Sequence, residues 1–283
     1  MKKALQNTSF FICNNIPQWA CGNWKERLKN IPLERRVLIL WEPPVIIPQQ
    51  YTEKTFAQFG KILTWDDSLV DNKKFFKFQY PSVMAMVQSR PSFSEKRLLT
   101  QMSANKTANG HLSSELYSER HRAIQYFEQH PEVEFDFYGP GWKEKGYLNY
   151  KGSPEDKIGT LKQYKFSLCF ENMKNIQGYI TEKIFHCFAA GCVPIYYGAS
   201  NISEYIPQGC YILFDPSKGY DTLTKELTEI SEETYNCYIA NIENFLQSQK
   251  AKEFSQESVA RMIKRALISE TGRTKKKRTG IKS

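Results

Sequence analysis

The chain has 283 residues, 41% of them hydrophobic and 24% charged, which suits one or two globular domains with a large buried core. No apolar run reaches the ~20 residues of a membrane-spanning helix, and the patch Phe10 to Cys13 behind Lys2 and Lys3 is too short for a signal-peptide core. The net charge of +9 is uneven: residues 271–283 hold six Lys or Arg and no acid, so the excess belongs mainly to a tail and not to a basic binding face.

Residues 1–34 carry many polar breaks and read as loop plus one short helix. Trp19 and Trp24, with Trp65 further on, are either aromatic stacking platforms or ordinary half-buried tryptophans. Val37 to Trp41 (VLILW) is a buried strand by its unbroken apolar run. Glu42 ends it, and Pro43 and Pro44 force an extended exit. A carboxylate at such a strand tip is either a surface loop acid or a proton acceptor facing a cleft. Phe56 to Trp65 is a second element, followed by Asp66, Asp67 and Asp71. Hard cations need converging oxygen ligands, and no Asp-x-Asp pair occurs, so these acids read as a solvated loop.

Arg97 to Ser103 opens a second unit. A polar loop with Asn105 follows, then a helix to His130 with Leu116, Ala123, Ile124 and Phe127 on one face, then an alternating strand, Val133 to Tyr138. The turn Gly139-Pro140-Gly141 is too weak a pattern to mark a phosphate loop.

The densest signal is YKFSLCFENMKNIQGYITEKIFHCFAAGCVPIYYG, residues 164–198. Phe166 to Phe170 is a buried parallel strand, and Glu171, Asn172 and a loop to Gly178 break it. Helical spacing then runs through Ile184, Phe185 and Phe188 to Gly191, a left-handed cap, and Cys192 to Tyr197 is a second strand. Such strand–helix–strand units bind ligands outside the carboxyl ends of their strands. Glu171, Asn172, Tyr179, Thr181, Glu182 and Lys183 therefore share one rim, and Asn105 falls on the same rim as a ligand contact or a simple turn residue. A helix starting near Ile180 offers free N–H groups and a positive dipole end to a phosphate. The remainder is helical, with Ser231 and Ser255 as caps.

Seven cysteines, an odd number without a CxxC, support neither a disulfide framework nor a zinc site. Cys169, Cys187 and Cys192 sit in apolar segments and read as core thiols of a reducing compartment. The four histidines lack metal-ligand spacing.

FEN, then GYITEK, then GCVPIYYG together resemble the donor-binding motif of the α-1,3-fucosyltransferases, glycosyltransferase family 10; the likeness extends more weakly over about residues 35–265. The resemblance implies an α/β fold of GT-B type: two Rossmann-like domains with a cleft between them and C-terminal helices. It divides the chain into an acceptor-side domain, 1–96, a donor-binding domain, 97–250, a helix that can cross back, 251–270, and a basic disordered tail, 271–283. It implies inverting transfer of fucose from GDP-fucose to a glycan hydroxyl. Glu42, in EPPVIIPQQY, matches the general base. Glu182 matches a ribose ligand, Lys183 the cation for the leaving diphosphate, and Asn172 and Tyr179 contacts to the diphosphate or the fucose. No metal cofactor is implied.

The chain departs from the family where many members place an arginine near the position of Pro140. Lys143, Lys145, Lys151, Arg120 and Arg122 are the substitutes available. The partners implied are a GDP-sugar donor and an oligosaccharide acceptor. The family's eukaryotic members often carry a membrane anchor; without one here, the expectation is a cytoplasmic enzyme, or a chain lacking its anchor, with the basic tail able to touch anionic lipid. Two other readings stay open: a transferase for another GDP-sugar, and a basic module for nucleic acid or membranes resting on residues 271–283 alone.

Overall fold

The computed structural model describes residues 10–16, 24–108 and 112–268. Two parallel sheets carry the architecture. The first has the order β1-β2-β3-β4, built from β1 (Phe11–Asn14), β2 (Arg36–Ile39), β3 (Lys61–Thr64) and β4 (Phe75–Lys77). The second has the order β6-β5-β7-β8-β9, from β5 (Arg97–Met102), β6 (Phe135–Tyr138), β7 (Tyr164–Phe170), β8 (Val193–Tyr197) and β9 (Ile212–Leu213). The strand β1 was not expected. It is a four-residue edge whose exposure alternates, and its signal is too short to separate from loop.

Between the strands run α1 (Trp24–Lys29), α2 (Glu53–Phe56), α3 (Tyr117–Gln129), α4 (Lys157–Leu161), α5 (Glu182–Ala190) and α6 (Ile202–Tyr205). Then come α7 (Gly219–Glu229), α8 (Glu232–Gln247) and α9 (Gln256–Ile268). The expected caps Gly191 and Ser231 act, and α5 starts at Glu182, two residues later than expected, where Thr181 caps it. Thr181 accepts from the Lys183 N–H at the start of α5, Gly191 ends it at φ 61°, and Ser231 accepts from Thr234 N at the start of α8. Both faces of the second sheet are covered, which is why its strands read as unbroken apolar runs.

Four contacts set the two sheets in place. Trp65, just past β3, meets Tyr179 with ring centroids 4.4 Å apart, and both are fully buried. Asp67 accepts from Lys77, Asn201 and Tyr205, while its own N–H bonds Gln177 O. Gly178, at φ +77°, passes so close to Trp65 O and Lys77 Nζ that a Cβ there would lie 2.5 Å from each. Finally α9 returns to the first sheet: Val259 and Ala266 pack with Val37 and Leu63, and Lys61 Nζ donates to Ala266 O at 2.6 Å and Leu267 O at 2.8 Å. The basic tail, Trp19 and the side chain of Trp24 lie outside the described residues. No helix among the described residues is long and apolar enough to cross a membrane.

Cys169, Cys187 and Cys192 are core thiols, as their setting in apolar segments implied. Burial pushes the Cys192 thiol up to about 12. Its folded pKa lies above the unfolded value, so its contribution is complete at neutral pH and fades as pH rises past about 8.5, where the unfolded thiol ionises. Urea unfolding should therefore lose stability more steeply with pH in the wild type than in Cys192→Ala, by about 1 kcal/mol for each pH unit above about 8.5. Equal slopes would contradict that assignment.

Candidate functional site

A cavity of about 410 Å³ opens at the carboxyl ends of β5 and β7 and reaches across to the end of β2. Glu42 lines it from the first sheet; Lys106, Arg120, Asn172, Glu182 and Lys183 line it from the second. This convergence joins residues far apart in sequence, and it follows from the crossover rule that sends ligands to the strand carboxyl ends.

The second-sheet wall is built on a buried carboxylate. Glu171 is fully buried and accepts from Thr181 N (2.8 Å), Thr181 Oγ1 (2.8 Å) and Lys183 Nζ (2.9 Å). Lys183 Nζ also reaches Thr181 Oγ1 at 3.0 Å. An ammonium has three N–H donors, so one remains for a ligand. Glu182 points elsewhere round the helix, and its carboxylate has no hydrogen bond to a described residue. His186 lies one turn further along the same face of α5 and also lines the cavity.

Arg120 is the second cation. It sits in α3, buried, and its Nη2 donates to Phe170 O (2.7 Å) and Asn172 Oδ1 (2.9 Å). No carboxylate among the described residues pairs with it, and its other donors are not used by them. Burial works against its charge, while Tyr117 and Glu171 nearby favour it. A buried, carboxylate-free guanidinium on a cavity wall is a ready anion ligand.

Of the open substitutes for the family's missing arginine, Arg120 is therefore the one in the wall. Arg122 pairs with Glu119 and Lys151 with Asp136, and Lys143 and Lys145 do not line the cavity. The sequence does not separate Arg120 from the other four, because a helical arginine flanked by Glu119 and His121 looks like a surface residue.

Glu42 faces these cations. Its carboxylate makes no hydrogen bond or ion pair to a described residue. Burial raises its pKa above the usual glutamate value; Lys106 and Lys183 pull it down and Glu182 pushes it up.

Two expected contacts fall outside the cavity wall. Asn105 does not line the cavity: its Nδ2 donates to Gly141 O at 2.8 Å and its N–H to Pro140 O, so it ties two rim loops together, and the next residue, Lys106, faces the cavity instead. Tyr179 is buried against Trp65 and Tyr80 in the contact between the sheets and lies outside the cavity wall. Trp65, fully buried in the same cluster, is no stacking platform.

The Glu171–Lys183 pair gives a stability test. Lys183→Ala strands a buried carboxylate and should cost about 3 kcal/mol in urea unfolding. Adding Glu171→Gln removes the stranded charge and should return most of that loss. A double variant no more stable than Lys183→Ala would contradict the pairing.

The chain matches the family model described as Glycosyltransferase family 10 (fucosyltransferase) C-term over residues 98–277, well over half its length. It is 33% identical over 119 residues to 4-galactosyl-N-acetylglucosaminide 3-alpha-L-fucosyltransferase 9 of Homo sapiens, covering 41% of this chain and 31% of that protein. It is 45% identical over 48 residues to Alpha-(1,4)-fucosyltransferase of Arabidopsis thaliana, covering 17% of this chain and 12% of that one. The chain thus spans less than a third of these curated relatives. Among solved structures, an alpha1,3-fucosyltransferase superposes with a TM-score of 0.59 at 14% identity, covering 94% of this chain and 80% of that one. An alpha-glucosyltransferase in complex with UDP and DNA gives 0.64 at 16% identity, covering 93% and 82%. At those identities the likeness is one of fold, and the fold is GT-B. With the family model spanning the second sheet and the wall that carries Glu182 and Lys183, the chain belongs to glycosyltransferase family 10, the fucosyltransferases.

Proposed function

We propose that this chain transfers fucose from GDP-fucose to a glycan hydroxyl with inversion at the anomeric carbon, using Glu42 as general base. The observation that carries the reading is the cavity itself: the partly buried Glu42 carboxylate on one wall, with Arg120, Lys183, Lys106 and a helix N-terminus on the other. A relative of this fold was solved with GDP-fucose, and the human relative is named for a 4-galactosyl-N-acetylglucosaminide, which supports this donor and a disaccharide acceptor.

In this reading the acceptor hydroxyl passes its proton to Glu42 as its oxygen bonds to the anomeric carbon. The bond from that carbon to the β-phosphate oxygen breaks in the same displacement, so configuration inverts. The transition state carries oxocarbenium character, as in glycoside cleavage. Charge grows on the departing diphosphate, where Arg120, Lys183 and the first turn of α5 meet it. Asn172, already bonded to Arg120, holds that guanidinium in place. Glu182 accepts from the ribose hydroxyls. Fixed cations supply the charge that a metal would otherwise supply, so the reaction should proceed in chelator.

A general base contributes about 10²–10⁴-fold, and Glu42→Gln should lose transfer to N-acetyllactosamine by at least the lower figure while GDP still binds by calorimetry. The raised pKa adds a second signature. Its stabilising part is present only below the unfolded glutamate pKa and is lost as pH rises through the folded one, so ionised Glu42 weakens the native state at neutral pH. Glu42→Gln should thus unfold at a higher temperature than the wild type at neutral pH. Transfer should fall on the acid side with an apparent pKa above the usual glutamate value. Unimpaired transfer in Glu42→Gln would remove Glu42 from the chemistry. Asn105→Ala should change GDP affinity little, and Lys106→Ala should weaken it; the reverse order would return Asn105 to the site.

A further inference from the structure

The peptide that carries Glu42 is held by side chains instead of by a sheet. β2 ends at Ile39, and Pro43 and Pro44 follow with no N–H to donate. Between them, Asn15 Oδ1 accepts from Trp41 N (2.9 Å), Glu42 N (2.8 Å) and Gln50 Nε2 (3.3 Å). The Glu42 carbonyl accepts from Gln50 Nε2 (2.6 Å) and Tyr51 Oη (2.7 Å). Tyr80 Oη closes the set on Trp41 O. Gln50 is fully buried, and its Oε1 accepts from Ile16 N at 3.3 Å, which fixes its amide orientation.

Asn15 suits this post for two independent reasons. It follows β1 at φ 59°, a left-handed conformation that Asn tolerates better than most residues. Its amide oxygen has the lone pairs to take several donors at once. The Glu42 side chain itself has no partner among the described residues, so its direction comes from this peptide alone.

We propose that Asn15, with Gln50 and Tyr51, is a positioning set that aims the Glu42 carboxylate into the cavity. The proposal rests on the reading of Glu42 as the base. A displacement of about 1 Å in a reacting group can cost about 10²-fold in rate. A truncated Asn15 leaves the Glu42 N–H without its acceptor and the Trp41 N–H with Ile39 O alone. The conservative test is Asn15→Asp, which keeps the acceptor oxygen and tolerates the left-handed backbone. It also places a negative charge beside Glu42, which raises the pKa of that carboxyl.

The experiment is steady-state transfer from GDP-fucose to N-acetyllactosamine, over pH, for Asn15→Ala, Asn15→Asp, Tyr51→Phe and Glu42→Gln, with thermal unfolding of each. Asn15→Ala should lose about 10²-fold in kcat with an unchanged KM for GDP-fucose. Asn15→Asp should keep kcat within a few-fold at its optimum and move the acid limb to higher pH. Tyr51→Phe, which deletes one hydrogen bond without altering shape, should lose about tenfold in kcat at constant KM, and it decides the matter if Asn15→Ala does not fold. An inactive Glu42→Gln beside full kcat in Tyr51→Phe and in any folded Asn15→Ala overturns the positioning set and leaves the base assignment standing. So does an Asn15→Asp variant as impaired as Asn15→Ala. An active Glu42→Gln overturns the base assignment and the positioning set with it.

Discussion

A carboxylate sealed from solvent, Glu171, is the constraint on which the rest of the site depends. An ionised group in that position is tolerable only if its lone pairs are filled, and the donors at hand are the N–H and hydroxyl of Thr181 and the ammonium of Lys183. Filling them fixes the junction between the loop after β7 and the first turn of α5. That junction sets where Lys183 keeps its remaining donor, where Glu182 looks and where the helix N-terminus points. The packing of Trp65 on Tyr179 and the bonds to Asp67 then carry this wall to the first sheet, opposite Glu42.

The two carboxylates divide their work by environment. Glu171 is fully buried and already accepts three hydrogen bonds, so it organises the wall. The Glu42 carboxylate is partly buried, hydrogen-bonded to no described residue, and raised in pKa, which is the condition of a group that takes up a proton. The same logic separates the cations: Arg122 and Lys151 spend their charge on Glu119 and Asp136, whereas Arg120 lies in the cavity wall with no carboxylate beside it.

Much of this was legible in the sequence because it is local. An unbroken apolar run followed by Glu42 and two prolines fixes a strand tip, and Gly191 marks the end of α5 by capping chemistry alone. What was not legible depends on packing between distant segments. Asn105 and Lys106 are neighbours in one polar loop, and only the approach of the loop holding Pro140 and Gly141 decides which of them faces inward. Tyr179 sits within the same motif as Glu182 and Lys183, yet Trp65 and Tyr80 from the other sheet claim its ring. Asn15 follows a four-residue edge strand paired with β2 alone, so neither the strand nor the clamp on Glu42 left a periodic signal.

A crystal structure of the protein with GDP and N-acetyllactosamine is the most direct measurement of whether these two walls serve one reaction. The account predicts the diphosphate within hydrogen-bond reach of Arg120 and Lys183, and the Glu42 carboxylate on the acceptor hydroxyl across the cavity. A nucleotide bound away from that cavity, or a Glu42 turned from the acceptor, would contradict it.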